Sequence, residues 1–230
     1  MTKNYPSERK RSLIAGVLYV LTFVSVPTLA IYGPVKSAGY ILGAGPDTAA
    51  VTGGILEIIV ALAGISTAVV LFPVLKKQNE TLALGLVAAR ILESSTIFVG
   101  VAFLLSIVTL RQTGAGQDYV AISHTLAILY DRIFLLGHSF MPAVCDLILG
   151  TLLFQSRLVP RGLSLIGIFG GPILLIGYFA VLFGFTGQHE PLAGISAIPV
   201  ALFEFSLGIW LIVRGFNPSA VSSLSTKTDK

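Results

Sequence analysis

Apolar residues fall into six blocks along the chain, at about 13–32, 51–75, 82–110, 126–154, 163–185 and 192–213. Each is close to or above the roughly 20 residues with which a helix, rising about 1.5 Å per residue, crosses hydrocarbon about 30 Å thick. Breakers and caps separate the blocks. Gly33-Pro34 closes the first, Lys76-Lys77 the second and Arg111 the third. Asn79 and Thr81 offer caps for the third, and a tight Ser156–Gly162 turn joins the fourth to the fifth. Arg214-Gly215 ends the sixth. The pattern predicts an all-α, polytopic membrane helix bundle of six transmembrane helices, one integral domain over residues 1–230. Beyond Pro218, Ser, Thr and Lys dominate, and a disordered tail is predicted from about residue 218.

The placement of basic residues then gives an orientation. One set of tails and turns carries Lys3, Arg9, Lys10, Arg11, Lys76, Lys77, Arg157, Arg161, Arg214, Lys227 and Lys230, and the opposite set only Lys36 and Arg111. Eleven against two assigns the first set to the cytoplasm, so both termini are expected there. The first block reads as an uncleaved helix, because its apolar run exceeds the roughly 7–15 residues of a secretory signal core. The long Gly33–Ala50 connection has a mildly apolar centre. It reads as a mobile loop or as a segment lying on the membrane surface.

Composition agrees. The chain is 54% hydrophobic and 11% charged, against about 25% charged in a soluble domain, and its mean hydropathy is +0.89. A net charge of +4 invites a nucleic-acid reading, but the basic residues sit in short turns and form no stripe interleaved with aromatics, so no nucleic-acid partner is expected. The single cysteine, Cys145, allows no internal disulfide and reads as packing. No phosphate-cradling glycine loop and no metal-ligand spacing occur, and no cofactor or metal is expected.

Eight ionisable residues remain inside the apolar blocks: Glu57, Arg90, Glu93, Asp131, Arg132, His138, Asp146 and Glu204. A charge at the centre of a spanning helix costs about 2.5–3.5 kcal/mol on the insertion scale, so each needs a partner, water or a task. Five are acids and two are arginines, which leaves about three acids without a cation. Depth sorts them into two groups. Arg90 lies roughly 12 Å into its block, and Asp146 and Glu204 roughly 15 Å from the same end of theirs. With Glu93, three residues from Arg90, and His138, they form a predicted buried polar cluster in which one guanidinium bridges two carboxylates. Glu57, Asp131 and Arg132 form a predicted outer polar group, with Arg132 the cation nearest Glu57 in depth. On an ideal helix Asp131, His138, Pro142 and Asp146 fall within roughly 80° of one another, and Pro142 frees a backbone carbonyl. The segments DLILGTLLFQSRLVP from Asp146 and EFSLGIWLIVRGFNP from Glu204 also echo each other, sharing the acid, then Leu, Gly, Leu and Pro at three, four, seven and fourteen residues on. A repeated hairpin and coincidence between two apolar segments both account for that.

Three stretches resemble the bacterial domain-of-unknown-function 4386 family. They are Leu75–Ala83 leading to Arg90-Ile91-Leu92-Glu93, Gly150 through Ser156-Arg157-Leu158-Val159-Pro160-Arg161, and Glu204 through Trp210-Leu211 to Gly215-Phe216. The resemblance implies a six-helix membrane protein of the bacterial cytoplasmic membrane and brings no activity with it. The expected partners are the lipid bilayer and a small cation or proton. The excess of acids favours a small cation- or proton-coupled transporter. A membrane partner or regulator whose polar residues only fix packing stays open, as does an intramembrane acid/base enzyme.

Overall fold

The computed structural model describes residues 5–37, 39–43, 46–114 and 116–228. Lys3, Ala38, Gly45 and Lys230 lie outside the described residues. Their regular structure is all helical, with no strand among them: α1 Tyr5–Leu21, α2 Thr28–Ile31, α3 Thr48–Leu75, α4 Glu80–Gln112, α5 Val120–Leu135, α6 Met141–Ser156, α7 Arg161–Leu182, α8 Pro191–Val213 and α9 Pro218–Thr228. Five helical stretches are long and apolar enough to cross a membrane: α3, α4, the continuous stretch Gln117–Ser156 that contains α5 and α6, α7 and α8. That set fits a multi-pass membrane protein.

The first predicted span is not one helix. α1 starts among charged residues at Tyr5 and stops at Leu21, and a 3-10 turn over Thr22–Ser25 leads to the short α2. Pro27 explains the break, since it lacks an N–H and its ring opposes the carbonyl of Phe23. Hydroxyls cover exposed carbonyls around it: Thr22 Oγ1 donates to Tyr19 O at 2.6 Å and Thr28 Oγ1 to Ser25 O at 2.6 Å. The fourth predicted span is continuous but irregular. A π-helical turn at Leu136–Phe140 separates α5 from α6, and the Met141 N–H reaches back five residues to Leu136 O. Pro142, next in the chain, has no N–H to restore the regular pattern.

α1 packs on α8 and α3, α3 on α4, α4 on α5 and α6, α6 on α7, and α7 on α8, which closes a ring. One end of the ring, the basic end, holds the amino-terminal segment and the turns at 76–79, 157–160 and 214–217. The opposite loop end holds the connections around 33–47, 113–119 and 183–190. A leucine-rich core including Leu75, Leu86, Leu149, Leu153 and Leu207 fills the basic end. Two features tighten that end. Arg9 donates to the last carbonyls of α8, Leu211 O at 2.8 Å and Ile212 O at 2.6 Å, and Ser12 Oγ donates to Leu211 O at 2.8 Å. These bonds satisfy groups that a helix end leaves unpaired. Residues 218–228, expected to be disordered, instead form α9. Its Ala220, Val221 and Leu224 join the same core, so a sequence too polar on average still buries one apolar stripe.

At the loop end the described residues of the 33–47 connection are docked. Val35 and Ile41 are buried. Tyr40 Oη donates to Asp47, which also accepts from Arg111 at 2.9 Å and Gln112 at 2.9 Å. The hydrogen bonds from Tyr40 and Gln112, with Arg111 beside them, hold the Asp47 carboxyl below the usual carboxylate range.

Candidate functional site

α4 supplies the centre of the site. Asn79 caps it, its Oδ1 accepting from Leu82 N at 3.0 Å, and three turns further on Arg90 faces the interior of the ring, 2% exposed. Arg90 Nη1 donates to both Glu93 oxygens, at 3.0 and 2.9 Å. Its Nη2 donates to Glu204 Oε1 on α8 and lies 3.8 Å from Asp146 Oδ1 on α6. One guanidinium thus meets three carboxylates from three helices. Asp146 is fully buried, and neither of its oxygens accepts a hydrogen bond among the described residues.

Two neighbours complete the cluster, and neither stood out in the sequence. The Arg90 guanidinium lies 5.7 Å from the centre of the Tyr19 ring on α1, within cation–π range. Cys145 Sγ donates to Glu93 Oε2 at 3.4 Å, so the thiol is tied to the acid cluster as well as packed. Pairing distances depend on how α1 and α6 rotate against α4, which no linear pattern records.

A cavity of about 480 Å³ leads from the loop end down to this cluster. Arg90, Glu93 and Glu204 form its floor. Its walls include Phe23, Val60, Phe134, Leu174 and Tyr178, and its mouth Gln188, His189 and Glu190. Its volume falls within the roughly 300–1,000 Å³ typical of small-molecule sites. The broken α1–α2 segment contributes Thr22, Ser25 and Thr28 to the wall, and the π-helical turn contributes His138 and Ser139. Each departure from regular helix in the first and fourth predicted spans therefore borders the cavity.

His138 stands apart from the ion cluster. Its ring stacks on Phe134, with centroids 4.2 Å apart and planes 9° from parallel, and its buried Nδ1 has no hydrogen-bond partner among the described residues. It lines the cavity together with Pro142, whereas Asp131 and Asp146 do not. The single stripe read from ideal helix geometry is split because the π turn spends an extra residue and rotates one half of the helix against the other.

The outer group also differs from expectation. Glu57 is buried and accepts from Tyr130 Oη at 2.8 Å, while Arg132 is exposed. Asp131 pairs with Lys36 at 2.7 Å, and that ammonium lies 5.3 Å from the Tyr130 ring centre. A match in depth did not place Arg132 and Glu57 on facing sides, and a phenol took the place of the cation.

No curated protein and no solved structure matches the chain. A family model described as "Domain of unknown function (DUF4386)" matches residues 14–215, which include Arg90, Glu93, Asp146 and Glu204 and both irregular segments around the cavity. The chain belongs to this DUF4386 family.

Proposed function

We propose that the protein is a small cation- or proton-coupled transporter of the bacterial cytoplasmic membrane. In this reading it crosses the bilayer six times, α1 and α2 together making the first crossing, with both termini in the cytoplasm. The eleven-to-two distribution of basic residues supports that orientation, and the cavity mouth then faces outward. The observation that carries the reading is the cavity floor: a 480 Å³ space ends on Arg90, Glu93 and Glu204, with Asp146, outside the lining, 3.8 Å from the guanidinium.

The chemistry follows from that imbalance. With every acid ionised the cluster has two negative charges in excess, which a low-dielectric site resists. One proton or one cation lowers the excess. Glu204 is placed to receive it, because it borders the cavity and already holds Arg90. When Glu204 turns to an incoming cation, Arg90 Nη2 has Asp146 only 3.8 Å away as a second acceptor. The guanidinium passes between two acids and stays paired, so the exchange avoids stranding a buried charge. Apolar walls with Phe23, Phe134 and Tyr178 favour a cation that carries an apolar body.

The test is flux in proteoliposomes under imposed pH and sodium or potassium gradients, comparing wild type with Glu204→Gln. Flux in the wild type that is lost in a variant of unchanged melting temperature supports transport. A wild type silent under every gradient overturns it. A second reading, a membrane partner or regulator, has its own observation: Arg90 ties α4, α6 and α8 together. It is favoured if Glu204→Gln melts far below wild type and no gradient drives flux.

A further inference from the structure

A second cavity, of about 490 Å³, opens at the basic end between the α6–α7 turn and the α8–α9 turn. Arg157, Arg161 and Arg214 line it, with Trp210 and Asn217, and no Asp or Glu is among its described lining residues. None of the three arginines is ion-paired among the described residues. All three are exposed, and the Arg161 guanidinium is held 4.9 Å from the centre of the Phe154 ring. Arg157 has φ +58°, the one non-glycine residue with a positive φ among the described residues. A long side chain adopts that backbone only at a cost. The positive-inside rule asks for basic residues in these turns. It does not ask three of them to converge on one concave site, unmatched by any acid and walled by a tryptophan.

We propose that this cavity binds the phosphate of an anionic membrane lipid. Arginines recognise phosphate through their planar fork, and basic pockets between helices at a membrane surface take anionic head groups. The apolar helix surfaces leading away from the cavity argue for a lipid over a free anion. Val213 on α8 is 65% exposed and Leu165 on α7 36% exposed, one residue before Arg214 and one turn beyond Arg161. Acyl chains have an apolar track to follow while the head group rests on the arginines. Trp210 suits the boundary between the two.

The experiment uses the full chain in detergent, with melting curves and native mass spectrometry after adding dioleoyl phosphatidylglycerol, dioleoyl phosphatidylcholine or inorganic phosphate. Phosphatidylglycerol is expected to stay bound and raise the melting temperature. Phosphatidylcholine, with the same chains but no net charge, and inorganic phosphate are expected to do neither. The variant R161Q/R214Q should weaken phosphatidylglycerol binding roughly fivefold for each arginine removed. R157G is the control against misfolding. Glycine suits the positive φ, so its melting point without lipid should match or exceed that of wild type, while its binding weakens roughly fivefold. Equal responses to the two lipids, or unchanged phosphatidylglycerol binding in both variants, would overturn the proposal. A rise with inorganic phosphate as large as that with the lipid would overturn it in favour of a free-anion site.

Discussion

Arg90 has more acids around it than one cation neutralises, and the consequences of removing each partner differ. Deleting the guanidinium strands three carboxylates, so Arg90→Ala should cost about 3–5 kcal/mol. Arg132→Ala, at an exposed residue, should stay within about 0.5 kcal/mol of wild type. Chemical denaturation of both variants in mixed micelles checks this, and equal losses would count against a buried cluster. Asp47 gives a prediction with a pH sign. Its folded-state pKa is lowered by the Tyr40 and Gln112 hydrogen bonds, so it stabilises the docked loop above the unfolded value near 3.9. That stability is lost as pH falls through the folded value. The melting difference between wild type and Asp47→Asn should therefore hold above pH about 5 and shrink as the pH falls below that through the folded value. Arg90, Glu93, Asp146 and Glu204 were legible in the sequence because a charge amid apolar residues needs a partner and helical rise gives depth. Tyr19 and Lys36 were not, since a tyrosine near a helix end and a lysine in a loop break no sequence rule.

Among the elements, the echo between Asp146 and Glu204 has a physical counterpart. Four residues after each acid is a glycine at a close crossing. A Cβ on Gly150 would lie 2.9 Å from Ile168 N of α7, and one on Gly208 3.1 Å from Tyr19 Cβ of α1. Eleven residues after each acid the backbone turns left-handed, at Arg157 with φ +58° and Gly215 with φ +75°. Fourteen residues after each acid comes a proline beside the start of the next helix, α7 or α9. The two turns touch, with Asn217 N donating to Leu158 O at 2.9 Å. The shared letters thus mark where each helix crosses, ends and restarts. Gly150→Ala should destabilise by about 1–3 kcal/mol, because the obstructing atoms are backbone and cannot move aside. Half-buried Gly85, where a Cβ meets nothing within 4 Å, is the matched comparison: Gly85→Ala should be neutral or stabilising. The helix blocks were legible from apolar run length, but the breaks inside them were not. Pro27 and Pro142 signal a disturbance without stating its form, whether a 3-10 turn and restart or a π turn that carries on.

At the scale of the molecule, two ends with different chemistry face each other along the ring. The basic end is filled by a leucine core, capped by Arg9 on α8 and covered by α9. The other end is open where α1 has stopped, and its cavity runs to Arg90. That asymmetry requires a fixed orientation to have meaning, and orientation rests on eleven basic residues against two. Reporter fusions after Lys77, Arg157 and Arg214 should read cytoplasmic, and fusions within 113–119 and 183–190 external. The first crossing needs its own measurement, because α1 has 17 residues and is followed by a bent segment. Single cysteines at Lys10 and Lys36, introduced in a Cys145→Ala background, settle it with a membrane-impermeant maleimide applied to intact cells. If α1 and α2 cross together, Lys36→Cys is labelled and Lys10→Cys only after the cells are opened. Labelling of neither residue from outside would leave five crossings, put the termini on opposite sides and turn the cavity mouth towards the cytoplasm. The proposed transport would then begin from the other face.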